Sequence, residues 1–447
     1  MSALTKKPVG YWNPKTELMP RDQLRQWQLR KLQVLLHWAY ENSPFWQNKM
    51  KAAGIHPDDI QKFEDIQHLP FLTKTEILEC QQEKPLYGDI VTAPTSLAMT
   101  YHQTSGTSGK TPMRALDSPR DWIWGSETWA YGLYAFGIRR TDVAYLPFGY
   151  GAFIGFWGAH YGLEKIGTLT IAGGAQTSEN RIRQIIDLGA TVITATPSYA
   201  IRLAQVANEM GINLATDTKV EMIITAGEPG ANIPGTKAMI EELWGARLGD
   251  FAGMTEAGGI CAFECNEQPG GIHIVEDHFL EEVIDPTTGK WVGYGEKGER
   301  VTTSFGRGLM PLIRYRTGDL VEKIQGSNCA CGRTFDIYNG GILGRTDDMK
   351  LIRGTNVFPS AIEGVVRKYD EIREFQIVLT KINYIDEITV KLEPLPSVPS
   401  SALLQLAQQI GDALSEAHEG LRFNVEMVEP GTLPTFELKA KRLMDLR

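Results

Sequence analysis

Alternating strand and helix patterns over residues 177–244 constrain the fold of this chain more than any other feature. Short apolar runs rich in Val, Ile and Thr alternate there with amphipathic segments that begin at Ser and end at Gly. Strands that alternate with helices pair in parallel, because each helix carries the chain back across the sheet. Ligands of such sheets bind beyond the carboxyl ends of the strands. The pattern predicts an α/β fold with helices at 178–188, at 198–210 and toward Trp244, and buried strands at 191–196 and 220–225.

The rest of the chain predicts two domains. Residues 20–52 have apolar positions near the helical period and predict a packing helix. Residues 270–345 predict short strands and turns, and after residue 347 the pattern predicts strands at 374–380, 387–393 and 423–428 and a helix at 401–416. We therefore predict a large N-terminal domain of several subdomains over residues 1–346, with parallel sheets flanked by helices and a β-rich part. A small α+β domain should follow over residues 347–447.

Composition and charge exclude several classes of function. With 447 residues the chain can bury a large core and should form more than one domain. The net charge of −9 provides no basic surface for nucleic acid or for an anionic membrane. The first residues lack the apolar run of a secretory signal, and five cysteines do not form a disulfide scaffold. We expect a cytoplasmic protein that binds small molecules. A homodimer is possible from the sequence, and the oligomeric state stays open.

A loop of small residues that ends in a lysine predicts a phosphate site. Glycines allow the backbone to approach a ligand, while hydroxyls, backbone N–H groups and the lysine can bind phosphate oxygens. The loop is not a Walker A motif, because Thr104 stands where that motif requires glycine. Taken alone, a flexible linker remains the alternative. The loop consists of Thr104, Ser105, Gly106, Thr107, Ser108, Gly109 and Lys110.

Further motifs follow this loop in a characteristic order. They are Ala-Gly-Glu-Pro at 226–229, Gly-Met-Thr-Glu at 253–256, Tyr-Arg-Thr-Gly-Asp at 315–319, Gly-Arg-Thr-Asp-Asp at 344–348, and a lysine, Lys439, near the end. Their order and spacing resemble the adenylate-forming superfamily of acyl-CoA synthetases, adenylation domains and luciferases. A narrower resemblance to the phenylacetate–CoA ligase family rests on the segments at 40–46, 158–162, 276–279 and 353–360. The resemblance covers nearly the whole chain.

The resemblance implies a two-step reaction with ATP, Mg²⁺ and CoA. A carboxylate attacks the α-phosphorus of ATP, and a thiol then attacks the acyl-adenylate. The loop at 104–110 would hold the β- and γ-phosphates, Thr255 would contact the α-phosphate, and Glu256 would bind Mg²⁺. Asp319 would bind the ribose hydroxyls and Arg345 the ribose and phosphates. The other implied nucleotide-binding residues are Gly227, Glu228, Pro229, Asp250 and Phe251.

The adenine site departs from the family pattern. The family usually has a tyrosine that stacks on the base, and Ala252 stands at that position, one residue after Phe251. Two alternatives stay open: either Phe251 stacks on the base in an altered geometry, or the base packs on aliphatic surface.

The C-terminal domain is expected to supply the catalytic cation. Lys439 matches the family's catalytic lysine, which bridges the substrate carboxylate and the α-phosphate, although Leu438 replaces the usual glycine. Lys441 is a rival, and a basic tail is the alternative. Asp347 matches the hinge about which the domain rotates between the half-reactions, and Gly354 matches the position that approaches pantetheine.

An aromatic and glycine-rich segment at 150–160 is the candidate acid pocket. Aromatic walls with few polar groups suit a flat aryl acid, although a helix packed in the core is the alternative for any single residue. Family members often have glycine at the position of Phe156, so that this pocket is expected to be smaller or reshaped. The candidate residues are Tyr150, Gly151, Phe156, Trp157 and His160.

Two cysteine clusters predict a structural zinc site. Family members with the same Cys…His…Cys-x-Cys arrangement resemble zinc proteins, and a set of Cys and His ligands without a carboxylate suits closed tetrahedral zinc. The preferred ligands are Cys265, His273, Cys329 and Cys331, with Cys261 as a rival ligand and free thiols as the alternative.

Taken together, these features identify the chain as an AMP-forming aryl-acid:CoA ligase similar to phenylacetate–CoA ligase. Three other functions stay open. The enzyme could load an aryl group onto a carrier-protein pantetheine, or adenylylate a hydroxylated cofactor, as the deazaflavin adenylyltransferases that resemble this family do. A non-catalytic nucleotide binder is disfavoured by the presence of Glu256, Asp319 and Lys439.

Overall fold

Helices and strands alternate along most of the chain in the computed structural model. The structure describes residues 8–104, 111–268, 270–346, 348–353, 355–382, 385–434, 436 and 440–447. Within them the α-helices are α1 (Pro14–Glu17), α2 (Arg21–Asn42), α3 (Pro44–Ala52), α4 (Lys74–Glu83), α5 (Pro119–Phe136), α6 (Gly155–Ile166), α7 (Ser178–Asp187), α8 (Pro197–Glu209), α9 (Leu214–Asp217), α10 (Pro234–Trp244), α11 (Pro359–Val366) and α12 (Leu403–Ala417).

Most of the strands precede residue 347. The first ten are β1 (Thr100–Gln103), β2 (Arg114–Asp117), β3 (Val143–Leu146), β4 (Leu169–Ala172), β5 (Val192–Ala195), β6 (Met222–Ala226), β7 (Arg247–Met254), β8 (Gly259–Phe263), β9 (Gly271–Ile274) and β10 (Phe279–Ile284). The others are β11 (Lys297–Ser304), β12 (Tyr315–Ile324), β13 (Ile337–Asn339), β14 (Gly344–Arg345), β15 (Lys350–Ile352), β16 (Thr355–Val357), β17 (Ile372–Ile382), β18 (Ile385–Pro394), β19 (Asn424–Met427) and β20 (Leu443–Asp445).

One large sheet forms the centre of the N-terminal part. Its strand order is β10-β11-β12-β13-β9-β8-β7-β6-β5-β3-β4, and β14 pairs with β12. Strands β3 to β7 pair in parallel, and the pairing becomes antiparallel from β7 onward. The predicted α/β class is confirmed, and the β-rich part continues the parallel sheet. The carboxyl ends of β3, β5, β6 and β7 therefore lie along one edge.

Several predicted helix boundaries were wrong by one residue or more. Thr177 and Thr196, not Ser178 and Ser198, are the N-caps of α7 and α8, and their hydroxyls accept hydrogen bonds from Asn180 N and Tyr199 N. The predicted helix at 20–52 is two helices. Ser43 is extended and caps α3, and Pro44 cannot donate the backbone hydrogen bond that a continuous helix requires.

The C-terminal part has its own sheet and core. Its strand order is β19-β18-β17-β20, with β17 and β18 antiparallel. The apolar side chains buried there come from positions 352 to 423, among them Ile377, Val390 and Ile410. No described helix combines the length and the apolar character that a membrane span requires.

Candidate active site

The loop after β6 carries the Ala-Gly-Glu-Pro motif. Gly227 has φ of +96°, a left-handed conformation that favours glycine, and it turns the chain so that Glu228 points back toward α8. Glu228 Oε1 accepts a hydrogen bond from Ser198 N at 2.7 Å, and Oε2 accepts one from Ala440 N at 2.7 Å. Burial raises the pKa of Glu228, although these N–H donors and Arg442 oppose the shift. Both carboxylate oxygens are thus used by protein donors.

Thr255 and Glu256 follow β7 directly, at the same edge of the sheet. Both residues are buried. Glu256 Oε1 lies 3.2 Å from Lys74 Nζ and accepts a hydrogen bond from the hydroxyl of Tyr315 at 3.5 Å. Burial, followed by the Glu256 carboxylate, holds the pKa of Tyr315 well above its usual range, so this hydroxyl stays protonated and can donate. Glu256 therefore offers a carboxylate oxygen in a setting that a divalent cation could use.

Arg307 fixes the turn that carries these two residues. Its Nη1 donates to the carbonyl oxygens of Thr255 at 2.7 Å and Glu256 at 2.5 Å, and its Nε donates to Asp117 Oδ1 at 2.9 Å. The guanidinium is 2% exposed, so its ion pair with Asp117 is shielded from solvent. Sequence reasoning missed Arg307. The segment Gly-Arg-Gly at 306–308 gave no signal, because its partners are 51 to 190 residues away.

Asp319 and Arg345 lie side by side, as the resemblance implies. They are register partners on β12 and β14, and Arg345 Nη1 donates to Asp319 Oδ1 at 3.0 Å. On its other side, Asp319 Oδ2 accepts from Arg300 Nη1 at 3.2 Å. Burial raises the pKa of Asp319, and Arg300 and Arg345 oppose this rise. Because Tyr315 and Asp319 share β12 at positions i and i+4, this strand links Glu256 to the Asp319–Arg345 pair.

Phe251 cannot stack on a bound base, which corrects the first alternative for adenine. It is 1% exposed, its ring lies parallel to Trp129 at 6.0 Å, and its edge contacts Phe136. In β7 successive side chains alternate between faces, so Phe251 packs into the core beneath the sheet. Ala252 is only partly buried and packs on the opposite apolar cluster, together with Ile342.

A glycine-rich segment at 340–342 lies next to that position. Asn232 Nδ2 donates to Ile342 O at 2.8 Å, which holds the segment against the loop after β6. A Cβ at Gly341, whose φ is +70°, would come within 2.8 Å of Asp250 Oδ2. Burial, and then the Glu264 carboxylate, raises the pKa of Asp250 to about 7. The surface near Ala252 therefore consists of aliphatic side chains and backbone atoms, together with the Asp250 carboxyl group, whose pKa is raised.

Thr104 closes the base of the predicted phosphate loop. Its N–H donates to Met113 O at 3.0 Å, and its hydroxyl accepts from Met113 N at 3.0 Å. These bonds extend the β1–β2 hairpin by one pair. The other loop residues lie outside the described residues, as do three more predicted positions: Ser105, Gly106, Thr107, Ser108, Gly109, Lys110, Asp347, Gly354 and Lys439.

The residues of the candidate acid pocket divide into a buried group and a more open group on two sides of α6. Phe156 is 4% exposed, and its ring packs against Phe148 and Trp129 in the core. Tyr150 lies on the more open side, where its hydroxyl is 2.8 Å from His160 Nδ1 and its ring meets Trp157 edge-on. The indole of Trp157 donates to Gly151 O at 2.8 Å. The aromatic cluster follows the carboxyl end of β3 and thus lies along the same sheet edge.

Four residues converge into a candidate metal centre. The ligand atoms of Cys265, His273, Cys329 and Cys331 all lie within 4.8 Å of one another, and all four residues are buried. His273 Nδ1 donates to Phe335 O at 3.0 Å, so its Nε2, which is 3.3 Å from Cys331 Sγ, faces the cluster. A backbone hydrogen bond of this kind fixes the tautomer of a metal-binding histidine. The donor set and its separations suit tetrahedral zinc.

Backbone donors surround the sulfur atoms of this cluster. Cys265 Sγ accepts from Glu267 N at 3.4 Å, and Cys331 Sγ accepts from Arg333 N at 3.5 Å. The rival ligand Cys261 is not in the cluster. Its thiol is buried near Arg300, and burial raises the pKa of Cys261 to about 12, which disfavours a thiolate there.

Comparison with known proteins places the chain in a family. The AMP-binding enzyme C-terminal domain matches residues 354–447. The chain is 32% identical to a phenylacetate-coenzyme A ligase of Thermus thermophilus, over 98% of this chain and 99% of the relative.

Two solved structures of a 2-hydroxyisobutyryl-CoA ligase compare differently with this chain. The enzyme in the postadenylation state, in complex with 2-HIB-AMP, superposes with a TM-score of 0.92 at 31% identity, covering 98% of this chain and 92% of that chain. In the thioesterification state, with 2-HIB-AMP and CoA, the TM-score is 0.74 at 32% identity, covering 97% and 92%. The described arrangement is thus closer to the postadenylation state.

Similarity over almost the full length, together with the hydrogen bonds that connect Glu256 through Tyr315 on β12 with Asp319 and Arg345, leads to one assignment. The chain belongs to the phenylacetate–CoA ligase family of the adenylate-forming superfamily, a family of AMP-forming acid–thiol ligases.

Proposed function

We propose that this protein activates an aromatic carboxylic acid with ATP and transfers the acyl group from the adenylate to the thiol of CoA. The observation that carries the proposal is the link through β12 between Glu256 and the Asp319–Arg345 pair. Tyr315 of β12 thus contacts the candidate metal carboxylate of Glu256, and Asp319 on the same strand is the candidate ribose carboxylate, an arrangement that suits a single nucleotide.

The residues of this chain have distinct tasks in the proposed reaction. Asp319 accepts hydrogen bonds from the ribose hydroxyls, and Arg345 stays beside it and lends positive charge toward the phosphates. Thr255 would contact the α-phosphate, and the hydrogen bond from Arg307 to its carbonyl oxygen holds this residue in position. Glu256 would hold Mg²⁺, which would neutralise charge on the phosphates when bound. Lys439 would stabilise the charge that develops between carboxylate and phosphorus.

The acid is proposed to bind between α6 and the carboxyl end of β3. Tyr150, Trp157 and His160 form its polar and aromatic wall. Phe156 packs behind them against Trp129 and fills space that a glycine would leave open. This side chain favours a second candidate, a smaller acid such as the branched hydroxy acid of the 2-hydroxyisobutyryl-CoA ligase.

We also propose a structural zinc ion held by Cys265, His273, Cys329 and Cys331. The support is the closeness of the four ligand atoms and the hydrogen bond that orients His273. The ion would tie the segment at 265–273 to the turn at 329–331, which also anchors the N-terminal segment through a hydrogen bond from Tyr11 to Cys331 O. Its role would be to stabilise the fold and not to take part in acid activation.

A pyrophosphate-release screen tests the proposed function. Purified protein is supplied with ATP, Mg²⁺ and one acid at a time, either phenylacetate, a substituted benzoate or 2-hydroxyisobutyrate, with and without CoA. We expect release that depends on an aryl acid, and the matching CoA thioester by mass spectrometry.

The other outcomes of this screen are informative. Release with 2-hydroxyisobutyrate alone would favour the smaller acid. Adenylate that CoA does not discharge would favour a carrier-protein acceptor. Release with none of these acids would contradict the proposed class of acid and direct attention to hydroxylated acceptors.

A further inference from the structure

Glu228 connects the two parts of the molecule that acid activation must bring together. It lies on the loop after β6, and its carboxylate accepts one hydrogen bond from Ser198 N and one from Ala440 N, each at 2.7 Å. Ser198 belongs to the first turn of α8, and Ala440 belongs to the C-terminal segment. One side chain thus joins the large sheet to the segment that carries the candidate catalytic lysine.

The bond to Ala440 acts on the backbone next to Lys439. The N–H group of Ala440 belongs to the peptide bond that links these two residues. A hydrogen bond that holds this N–H group therefore restrains the chain directly after residue 439. Two residues further on, Arg442 O accepts from Ile377 N at 2.7 Å, and β20 then pairs with β17. The segment is therefore held on one side by the C-terminal sheet and on the other by Glu228.

The contact with Ser198 orients the carboxylate from within the large domain, independently of the C-terminal segment. Its Oε1 accepts the Ser198 N–H at the start of α8, where the helix dipole favours negative charge. Gly227 supplies the left-handed turn that aims the side chain. The second oxygen is thereby directed toward the place where Ala440 lies, and this contact requires no reorganisation of the large domain.

These contacts argue against a nucleotide-binding role for Glu228. Its two oxygens accept from backbone N–H groups of two different segments, and a further carboxylate beside the triphosphate would repel it. We propose instead that Glu228 is a positioning residue for the first half-reaction: by holding the peptide between residues 439 and 440, it places Lys439 for acyl-adenylate formation. This inference rests on the proposed function. A rotation that carries the C-terminal segment away would break the contact, so the second half-reaction should not need it.

The test separates the half-reactions in Glu228→Gln. Glutamine retains one acceptor oxygen and cannot satisfy both donors. We expect acyl-adenylate formation, followed by pyrophosphate release, to fall roughly ten- to a hundredfold, the range for a lost hydrogen bond to a charged group. Thiolation of a supplied acyl-adenylate by CoA should stay within about twofold, since only interactions made in the affected transition state change its rate. An equal loss in both half-reactions, or a loss in neither, would overturn the proposal.

Thr236→Val is the matched control. Thr236 Oγ1 donates to Glu363 Oε1 at 3.3 Å, so it also joins the two parts of the chain, but it lies on α10 and not beside the lysine segment. If docking of the C-terminal part in general were limiting, this variant would reproduce the effect of Glu228→Gln. We expect it to leave the ratio of the two half-reactions unchanged.

Amide hydrogen exchange provides a readout that needs no substrate. In Glu228→Gln, exchange in peptides covering residues 440–447 should become faster, while peptides of β18, which pairs with β17 and β19 and not with this segment, keep their wild-type rates. A wild-type protein that activates no acid would contradict the proposed function alone, because the exchange result would still decide whether Glu228 holds this segment. Unchanged exchange at 440–447 would refute the role of Glu228 directly.

Discussion

The candidate metal centre and the predicted nucleotide site differ in how their residues are brought together. The four cluster residues all belong to the β-rich part before residue 347, are buried, and have ligand atoms within 4.8 Å of one another. The predicted nucleotide residues come from the loop after β6, from the end of β7 and the residues that follow it, and from β12 and β14, and the sequence adds the segment at 104–110 and Lys439. Sites that must open for substrates need segments that move between states, whereas a closed structural site gains from rigidity. The following predictions test this contrast, from the largest expected effect to the smallest.

Lys439→Ala should lower the rate of acyl-adenylate formation by roughly three orders of magnitude, because an electrostatic contact to the transition state is lost. Thiolation of a supplied acyl-adenylate should remain close to wild type. Single-turnover measurements of the two half-reactions check this result. The control is Lys441→Ala, which removes an exposed lysine two residues away. If adenylate formation fell in Lys441→Ala and not in Lys439→Ala, Lys441 would be the catalytic cation.

Glu256→Gln should raise the Mg²⁺ concentration needed for half-maximal activity and cut pyrophosphate release by roughly two orders of magnitude. The amide has the same size but loses the charge that would bind the ion and pair with Lys74. A magnesium titration of each protein is the measurement. Glu242→Gln on the exposed side of α10 should behave as wild type, and a wild-type titration of Glu256→Gln would remove this residue from the metal site.

Cys329→Ser combined with Cys331→Ser should reduce the zinc content from about one ion per chain to near zero. The melting temperature should fall by on the order of 5–10 °C, because metal binding contributes to folding free energy. The KM for ATP should stay near wild type, since none of the four proposed zinc ligands is among the predicted nucleotide residues. Elemental analysis and thermal unfolding check both expectations.

Cys80→Ser is the control for the metal, because this buried cysteine is outside the cluster and should keep the full zinc content. Wild-type protein prepared without chelator that contains no metal, and whose five thiols all react freely in the native state, would contradict the zinc site.

The smallest effect is expected for Asp250→Asn. Burial raises the pKa of Asp250 to about 7 from an ordinary value of 3.8. Because the folded state binds this proton more tightly than the unfolded chain does, protonation of Asp250 adds to the free energy of unfolding. This contribution is fully present below the pKa of the unfolded chain and is lost as the pH rises through about 7. Asparagine cannot ionise and so removes the cost of the buried carboxylate. The difference in melting temperature, variant minus wild type, should therefore become more positive between pH 5.5 and pH 8.

Asp285→Asn provides the opposite case as a control. Backbone hydrogen bonds from Thr288 and Thr287 lower the pKa of this exposed carboxyl group. It is ionised at both pH 5.5 and pH 8, so the difference in melting temperature between this variant and wild type should not change over that range. A flat difference for Asp250→Asn as well would show that Asp250 titrates normally.

Local patterns in the sequence predicted which helices and strands form better than they predicted the residues at which these elements begin and end. The strands predicted at 191–196 and 220–225 correspond to β5 and β6, because apolar β-branched runs have few alternatives in a buried sheet. The predicted caps Ser178 and Ser198 were wrong, since Thr177 and Thr196 can cap equally well and only the backbone angles choose between neighbours. The cluster of Cys265, His273, Cys329 and Cys331 brings together the four residues that the family resemblance implies as ligands, and a bound zinc ion stays a prediction.

The sequence by itself determined the fold class, the family and the chemical types of the site residues, because these depend on periodicity and on the order of motifs. Only the tertiary structure decided where individual side chains point. Phe251 faces the core and not the base, since alternation along β7 assigns it to the inner face. Arg307 reaches Asp117 across 190 residues, and Glu228 bridges to Ala440 across 212 residues. Such contacts form between groups that share no local pattern, so they arise only when the chain has folded.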